Sequence, residues 1–206
     1  MPKDTFFNLP KEKQERIIDA AIDEFGAHSF HQARVTAIAE QAGIPVGSFY
    51  QYFEDKMDLF KYLVELVAEK KLSYINRDLL ENEEKYSFSQ LLREAFASGI
   101  RFAKENPRLL PIGLMLVNDK TLLREIFGKH INKSVGFFRQ MLEAARARGE
   151  IDPHIDPKLA ARMITGMLFS ITDFFYEDGK LNLDDMAVID QMLYFIENGL
   201  GKKRKK

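Results

Sequence analysis

The chain has 206 residues, 46% of them hydrophobic and 30% charged. That is long and apolar enough for a real core in one domain or one domain with an appendage, and too apolar for a disordered protein. Cysteine is absent, which excludes disulfide scaffolds, thiolate zinc sites and cysteine nucleophiles and suits a reducing cytoplasm. The formal charge is −1, but Lys202 to Lys206 are all basic, while residues 1–60 carry 6 cations against 10 anions. Bulk charge therefore argues against indiscriminate attraction to nucleic acid.

The opening stretch MPKDTFFNLPKEKQ has no apolar signal core. No run reaches the roughly 18 apolar residues of a membrane helix, so a cytoplasmic protein without membrane contact is expected. Strand alternation persists nowhere, whereas a 3.6-residue apolar period recurs throughout, which predicts an all-α fold of about nine helices. The first spans 10–26, with Ile17, Ile18, Ala21, Ile22 and Phe25 as its apolar stripe. Short helices follow at 35–42 and 45–53, then a long one over 56–80. The polar stretch 81–87 separates these from helices at 88–104, 107–117, 120–148, 156–177 and 184–199. The composition shifts near residue 55, which divides the chain into 1–55, 56–201 and a basic tail, 202–206.

Residues 35–53, VTAIAEQAGIPVGSFYQYF, carry the most information. Two short helices flank a tight turn at Gly43, a residue that takes positive φ without steric cost. Ala39 is small where the helices must cross, and Ile38, Ala42, Ile44, Phe49 and Phe53 supply the apolar lock. A helix–turn–helix of this kind lays its second helix in the major groove. Val46, Gly47, Ser48, Tyr50, Gln51 and Tyr52 would then be its exposed residues. Gln51 suits a bidentate pair with adenine and Val46 a thymine methyl. The hydroxyls of Ser48, Tyr50 and Tyr52, with Lys56 beyond, suit phosphates. The same pattern also serves an ordinary helical hairpin with the tyrosines as packing residues.

Residues 14–60 resemble the DNA-binding domain of TetR-type transcriptional repressors. The matching residues are Ile18, Ala20, Ala21 and Phe25, then VTAIAEQAGI, then GSFYQYFEDKMDLF with Tyr50, Phe53, Lys56, Leu59 and Phe60 in register. The resemblance implies a homodimer on a palindromic operator, released when a small molecule enters the C-terminal domain. It implies phosphate contacts at Tyr50, Tyr52 and Lys56 and base contacts at Val46, Ser48 and Gln51. Arg34 stands where many members have a capping Thr or Ser. It can reach a phosphate but cannot cap through an oxygen, and Thr36 is the alternative hydroxyl.

Large flexible side chains crowd the C-terminal part. Phe102, Leu110, Leu114, Met115, Phe127, Phe138, Met163, Met167 and Phe174 would line an adaptable apolar pocket, or simply form bundle core. Asp173 is the most isolated charge among them and a candidate for a ligand head group. The last two helices read as a dimer surface. Gly166 and Ser170 would allow close approach, Phe175 would extend that face, and Ile189, Met192, Leu193 and Ile196 would form a stripe on the final helix. No cofactor or metal is expected, and the chain has no P-loop, dinucleotide fingerprint, H-E-x-x-H or nucleophile elbow, so it is not read as an enzyme. The alternative to a ligand-released repressor is a DNA-bound architectural or cell-division factor governed by a protein partner.

Overall fold

The computed structural model describes residues 1–127, 131–170, 176–177, 180–181 and 186–200. Among these, twelve helices follow one another: α1 (Asp4–Phe7), α2 (Lys11–Ala27), α3 (Val35–Ala42), α4 (Val46–Tyr52), α5 (Lys56–Leu72), α6 (Arg77–Glu81), α7 (Phe88–Glu105), α8 (Leu110–Asn118), α9 (Lys120–Phe127), α10 (Ile131–Ala147), α11 (Pro157–Ser170) and α12 (Met186–Leu200). Short 3₁₀ turns lie at Glu83–Lys85 and Pro107–Leu109. A two-residue antiparallel ladder pairs Tyr176 with Leu181 and Glu177 with Lys180.

The all-α class stands, with twelve helices in place of about nine. The expected helix 56–80 breaks because Asn76 starts a new one, its side-chain oxygen accepting the Asp78 N–H at 3.0 Å. The expected helix 120–148 is two, α9 and α10. The remaining addition, α1, is one turn long, and the apolar pair Phe6-Phe7 was its only signal.

Two compact units partition the chain. One comprises Met1–Leu72 and Glu105–Leu122, the other Ser73–Lys104 and Leu123–Lys206. The first unit is built on α2, whose Ile17, Ala20, Ala21 and Phe25 are all at most 1% exposed. They meet Ile38 and Ala39 of α3, Phe49 of α4, and Leu59, Phe60 and Leu63 of α5, which are equally buried. Phe25 and Phe60 lie edge-on at 4.9 Å, and Phe30 tilts over Phe60 at 5.2 Å, favourable geometries for aromatic pairs. α8 also belongs to this unit and packs on α2 and α5, with Ile112 and Leu116 buried. Asp55 caps α5 by accepting the Asp58 N–H at 2.8 Å, and Asp58 in turn accepts the Glu54 N–H at 3.1 Å. That pair of contacts ends the link from α4 within three residues.

The second unit has one core. Phe88, Leu92 and Phe96 of α7, Phe138, Met141, Leu142 and Ala145 of α10, Ala161 and Ile164 of α11, and Ile189, Leu193 and Ile196 of α12 are buried together. α10 and α11 lie along each other, joined where Gly149 takes φ 75° and its N–H bonds Arg146 O at 3.0 Å.

Ile189, Leu193 and Ile196 are therefore not a subunit surface. They are 1–2% exposed because α12 turns that stripe into its own core. The outward side of α12 carries Tyr194 and Phe195, 69% and 65% exposed. Met192 is partly buried against the same core.

Candidate nucleic-acid interface

The helix–turn–helix forms as the sequence implies. Gly43 ends α3 at φ 65°, ψ 40°, and the N–H groups of Gly43 and Ile44 bond Glu40 O and Ala39 O at 3.1 and 2.9 Å. Pro45, at φ −59°, leads into α4. The buried side of α4 is Phe49, Tyr52 and the following Phe53; burying each fully is worth about 1.5–3 kcal/mol. The opposite side is open: Gly47 and Gln51 are exposed, Val46 and Tyr50 are 40% and 50% exposed, and Ser48 is half-buried. That row can present one methyl pair, one amide and one phenol to a groove.

Two of the expected phosphate contacts also carry structural roles. Tyr52 is 6% exposed, with Phe6 6.5 Å away and Lys13 Nζ 5.8 Å over its ring, so it is a packing residue between α1, α2 and α4. Lys56 is half-buried and occupied: its ammonium donates to Ala33 O at 2.7 Å and His31 O at 3.3 Å and lies 4.8 Å over Phe30. Burial pulls its pKa down, against a smaller opposing effect of Glu24. Lys56 thus ties α5 to the turn between α2 and α3.

Arg34 occupies the N-cap of α3 without a side-chain cap, and its side chain is exposed, as is that of Thr36. Glu24 of α2 accepts the Arg34 N–H at 2.8 Å, a different donor from the Thr36 or Ala37 N–H that a capping hydroxyl would satisfy. That bond ties the start of α3 to α2, ten positions earlier, and leaves the exposed Arg34 guanidinium uninvolved.

A further contribution to this surface was not read from the sequence. The last-turn carbonyls of α4 are satisfied by the N-terminal segment: Lys3 Nζ donates to Tyr50 O at 2.8 Å, Thr5 Oγ1 to Gln51 O, and Lys3 N–H to Tyr52 O at 2.8 Å. Phe6, fully buried, anchors the segment against Phe53 and Tyr62 at 5.0 and 5.6 Å. Gln14 holds the turn into α2 by donating to Phe7 O and Leu9 O at 3.1 and 2.8 Å. No local pattern announces the contacts of Lys3 and Thr5 with α4, because they join residues about 47 apart.

The expected pocket residues fall in both units. Leu110, Leu114 and Met115 are half-buried on α8 in the first unit. In the second, Phe102 is buried against Tyr74, Phe138 is core, Met167 packs on that core, and Met163 points outward at 57% exposure. Asp173, Phe174, Phe175 and the basic tail lie outside the described residues, as do the side chains of Phe127 and Ser170. A cavity of about 20 Å³ does lie between Ile75 and Leu79, Leu91, Glu94 and Ala95 of α7, and Phe137 and Met141 of α10. At its edge Arg101 donates to Glu94 at 2.5 Å and to Tyr74 O at 3.1 Å. Gly166 is exposed on α11, where Leu159 and Met163 are each 57% exposed. Among the described residues no helix is long and apolar enough to cross a membrane.

Comparison with known proteins agrees with this layout. Residues 17–63 match the family of bacterial regulatory proteins called tetR, and residues 123–200 match a tetracyclin repressor-like C-terminal domain. The fatty acid metabolism regulator protein of Bacillus subtilis is 26% identical over 199 residues, 94% of this chain and 98% of that protein. The nucleoid occlusion factor SlmA of Vibrio cholerae is 26% identical over 177 residues, 84% of this chain and 89% of that protein. The solved structure of FadR from Bacillus subtilis in complex with stearoyl-CoA superposes with TM-score 0.71 at 26% identity, covering 90% of this chain and 98% of that one.

Proposed function

Because this chain belongs to the TetR family of bacterial regulatory proteins, we propose that it is a cytoplasmic, ligand-responsive transcriptional repressor that binds a palindromic operator as a homodimer. The observation that carries the reading is the open row Val46, Gly47, Tyr50 and Gln51 on a short helix whose other side is fully buried. Gln51 reads a base edge and Val46 a thymine methyl, while Ser48, Tyr50, Thr36 and Arg34 hold the backbone. The first unit does the reading, and the second holds the effector and the partner subunit.

Dimerisation rests on a different surface from the stripe first expected. The outward faces of α11 and α12 carry Leu159, Met163, Tyr194 and Phe195, each at least 57% exposed. Large apolar side chains this open, on two helices, suit a self-complementary contact. Such a dimer sets two copies of α4 into successive major grooves, about 34–36 Å apart.

The effector class follows from the relatives: a fatty acid metabolism regulator and a FadR structure holding stearoyl-CoA point to a long-chain acyl thioester. The cavity beside Glu94, about 20 Å³, has room for a water and not for an acyl chain. Ligand entry therefore parts α6, α7 and α10, and the operator is released because the ligand favours the parted state. Likeness to a nucleoid occlusion factor keeps a protein-regulated division factor as the second reading.

Selecting duplexes from a random pool tests the first claim. The wild-type chain should enrich an inverted repeat with half-site centres one helical turn apart, and Gln51→Ala should relax one position in each half. Enrichment of no sequence, or of an unpaired single site, would overturn it.

A further inference from the structure

Residues 105–122 lie in sequence between two stretches of the second unit, yet they pack in the first. They fall between the two family matches, 17–63 and 123–200. The chain thus leaves the second unit at Lys104, packs on α2 and α5 of the first, and rejoins the second at Leu123. Ile112 and Leu116 fix this excursion by burial against the α2 and α5 side of the unit. Its polar attachments are more specific.

Arg108, in the 3₁₀ turn before α8, spans one face of α2. Its Nη1 donates to Asp19 Oδ1 at 3.3 Å, and its Nη2 and Nε donate to Asp23 Oδ1 at 2.7 and 3.3 Å. The other oxygen of Asp23 accepts from Gln41 Nε2 at 2.8 Å. Gln41 sits in the last turn of α3, two residues before the Gly43 turn that sets α4. One carboxylate is therefore shared between the excursion and the helix–turn–helix. At the far end of α8, Asp119 faces His31 Nε2 at 3.2 Å and caps α9 through the N–H groups of Thr121 and Leu122 at 2.9 Å.

We propose that Asp23 is a positioning residue through which the excursion 105–122 governs the placement of α3 and hence of the recognition helix. Arg108 pins one carboxylate oxygen and so aims the other at Gln41. When the excursion shifts, the carboxylate is free to turn about its last torsion and hydrate, and Gln41 loses its fixed partner. The Arg108 hydrogen bond holds the Asp23 carboxyl below the ordinary carboxylate range, in keeping with a pair formed at neutral pH. Asp19, Asp23 and Arg108 are 59%, 44% and 58% exposed. Exposed pairs add little to folding stability, which suits a contact that must be made and released within a folded domain. The proposal rests on the ligand-responsive reading for its purpose, but its geometry can be tested without a ligand.

Hydrogen–deuterium exchange on the full chain supplies that test, with α5 as the internal control. Arg108→Gln should speed exchange about fivefold in 105–118 and in α3, leaving α5 unchanged. Gln41→Leu should speed α3 alone, and adding Arg108→Gln to it should change α3 no further. The proposal is overturned if Arg108→Gln leaves α3 within about twofold of wild type, if its effect on α3 survives in the Gln41→Leu background, or if α5 accelerates equally. A second arm measures affinity for the selected duplex with and without saturating stearoyl-CoA. The release that stearoyl-CoA causes should shrink at least about threefold in Arg108→Gln, and undiminished release would count against the coupling. A chain that selects no duplex refutes the repressor reading, and the exchange result still decides the role of Asp23.

Discussion

At the scale of single residues, the interface separates side chains that read DNA from those that hold the reader in place. The Gln51 side chain is exposed, and its structural contact to Thr5 runs through the backbone carbonyl, so Gln51→Ala should change sequence preference while leaving the unfolding midpoint in urea where it was. Lys56 is the reverse case. Its ammonium is spent on Ala33 O and His31 O, so Lys56→Ala should cost about 1–2 kcal/mol of stability in urea titration. It should weaken all duplexes alike with an unchanged salt slope. A slope reduced by about one with stability intact would mean that Lys56 neutralises a phosphate after all. Asp23 offers a pH test with a definite sign. Its folded pKa is depressed, chiefly by the Arg108 hydrogen bond, so the unfolded chain binds its proton first. The stabilising contribution is complete above the ordinary carboxylate value and is lost as pH falls through the lower folded one. Carboxyl NMR titration of Arg108→Gln should show the Asp23 pKa rising, and no movement would mean that the pair does not form in solution.

At the scale of elements, α4 is short and leans on two neighbours, the Gly43 turn before it and the N-terminal segment after it. Gly43→Ala places a Cβ at φ 65° and should cost about 1 kcal/mol even though no atom obstructs it. Thr5→Val removes the hydroxyl that donates to Gln51 O and should weaken operator binding several-fold more than it lowers the melting temperature. Equal loss in both would make α1 a simple packing element. These two neighbours also mark where sequence reasoning succeeds and where it stops. The Gly43 turn was legible because its chemistry is local: Ala39, the positive-φ Gly43 and Pro45 stand within one short stretch of sequence. The α1 cap, the Glu24 contact to Arg34 and the burial of Tyr52 join distant segments, and no periodicity encodes them. On α12 the apolar stripe itself was legible, but not its partner. A clean row such as Ile189, Leu193 and Ile196 reads alike whether it meets a second subunit or its own core, and the core won because α7, α10 and α11 already offered Leu92, Leu142 and Ile164.

For the whole molecule, charge and symmetry decide selectivity. With 6 cations against 10 anions in residues 1–60, binding to random DNA should be weak and lost at physiological salt, leaving base contacts and half-site spacing to supply specificity. Replacing Tyr194 and Phe195, 69% and 65% exposed, with Asp should convert a dimer to a monomer in sedimentation velocity. The same change should lower operator affinity at least about a hundredfold, since each half-site then binds alone. A double variant that stays dimeric would move the interface elsewhere. The central claim joins the open face of α4 to a ligand held by the other unit, and fluorescence anisotropy of a selected operator titrated with stearoyl-CoA tests it most directly. We expect the operator Kd to rise at least about tenfold at saturation, a coupling typical of allosteric repressors; a Kd that stays constant while stearoyl-CoA is measurably bound would contradict ligand-controlled release.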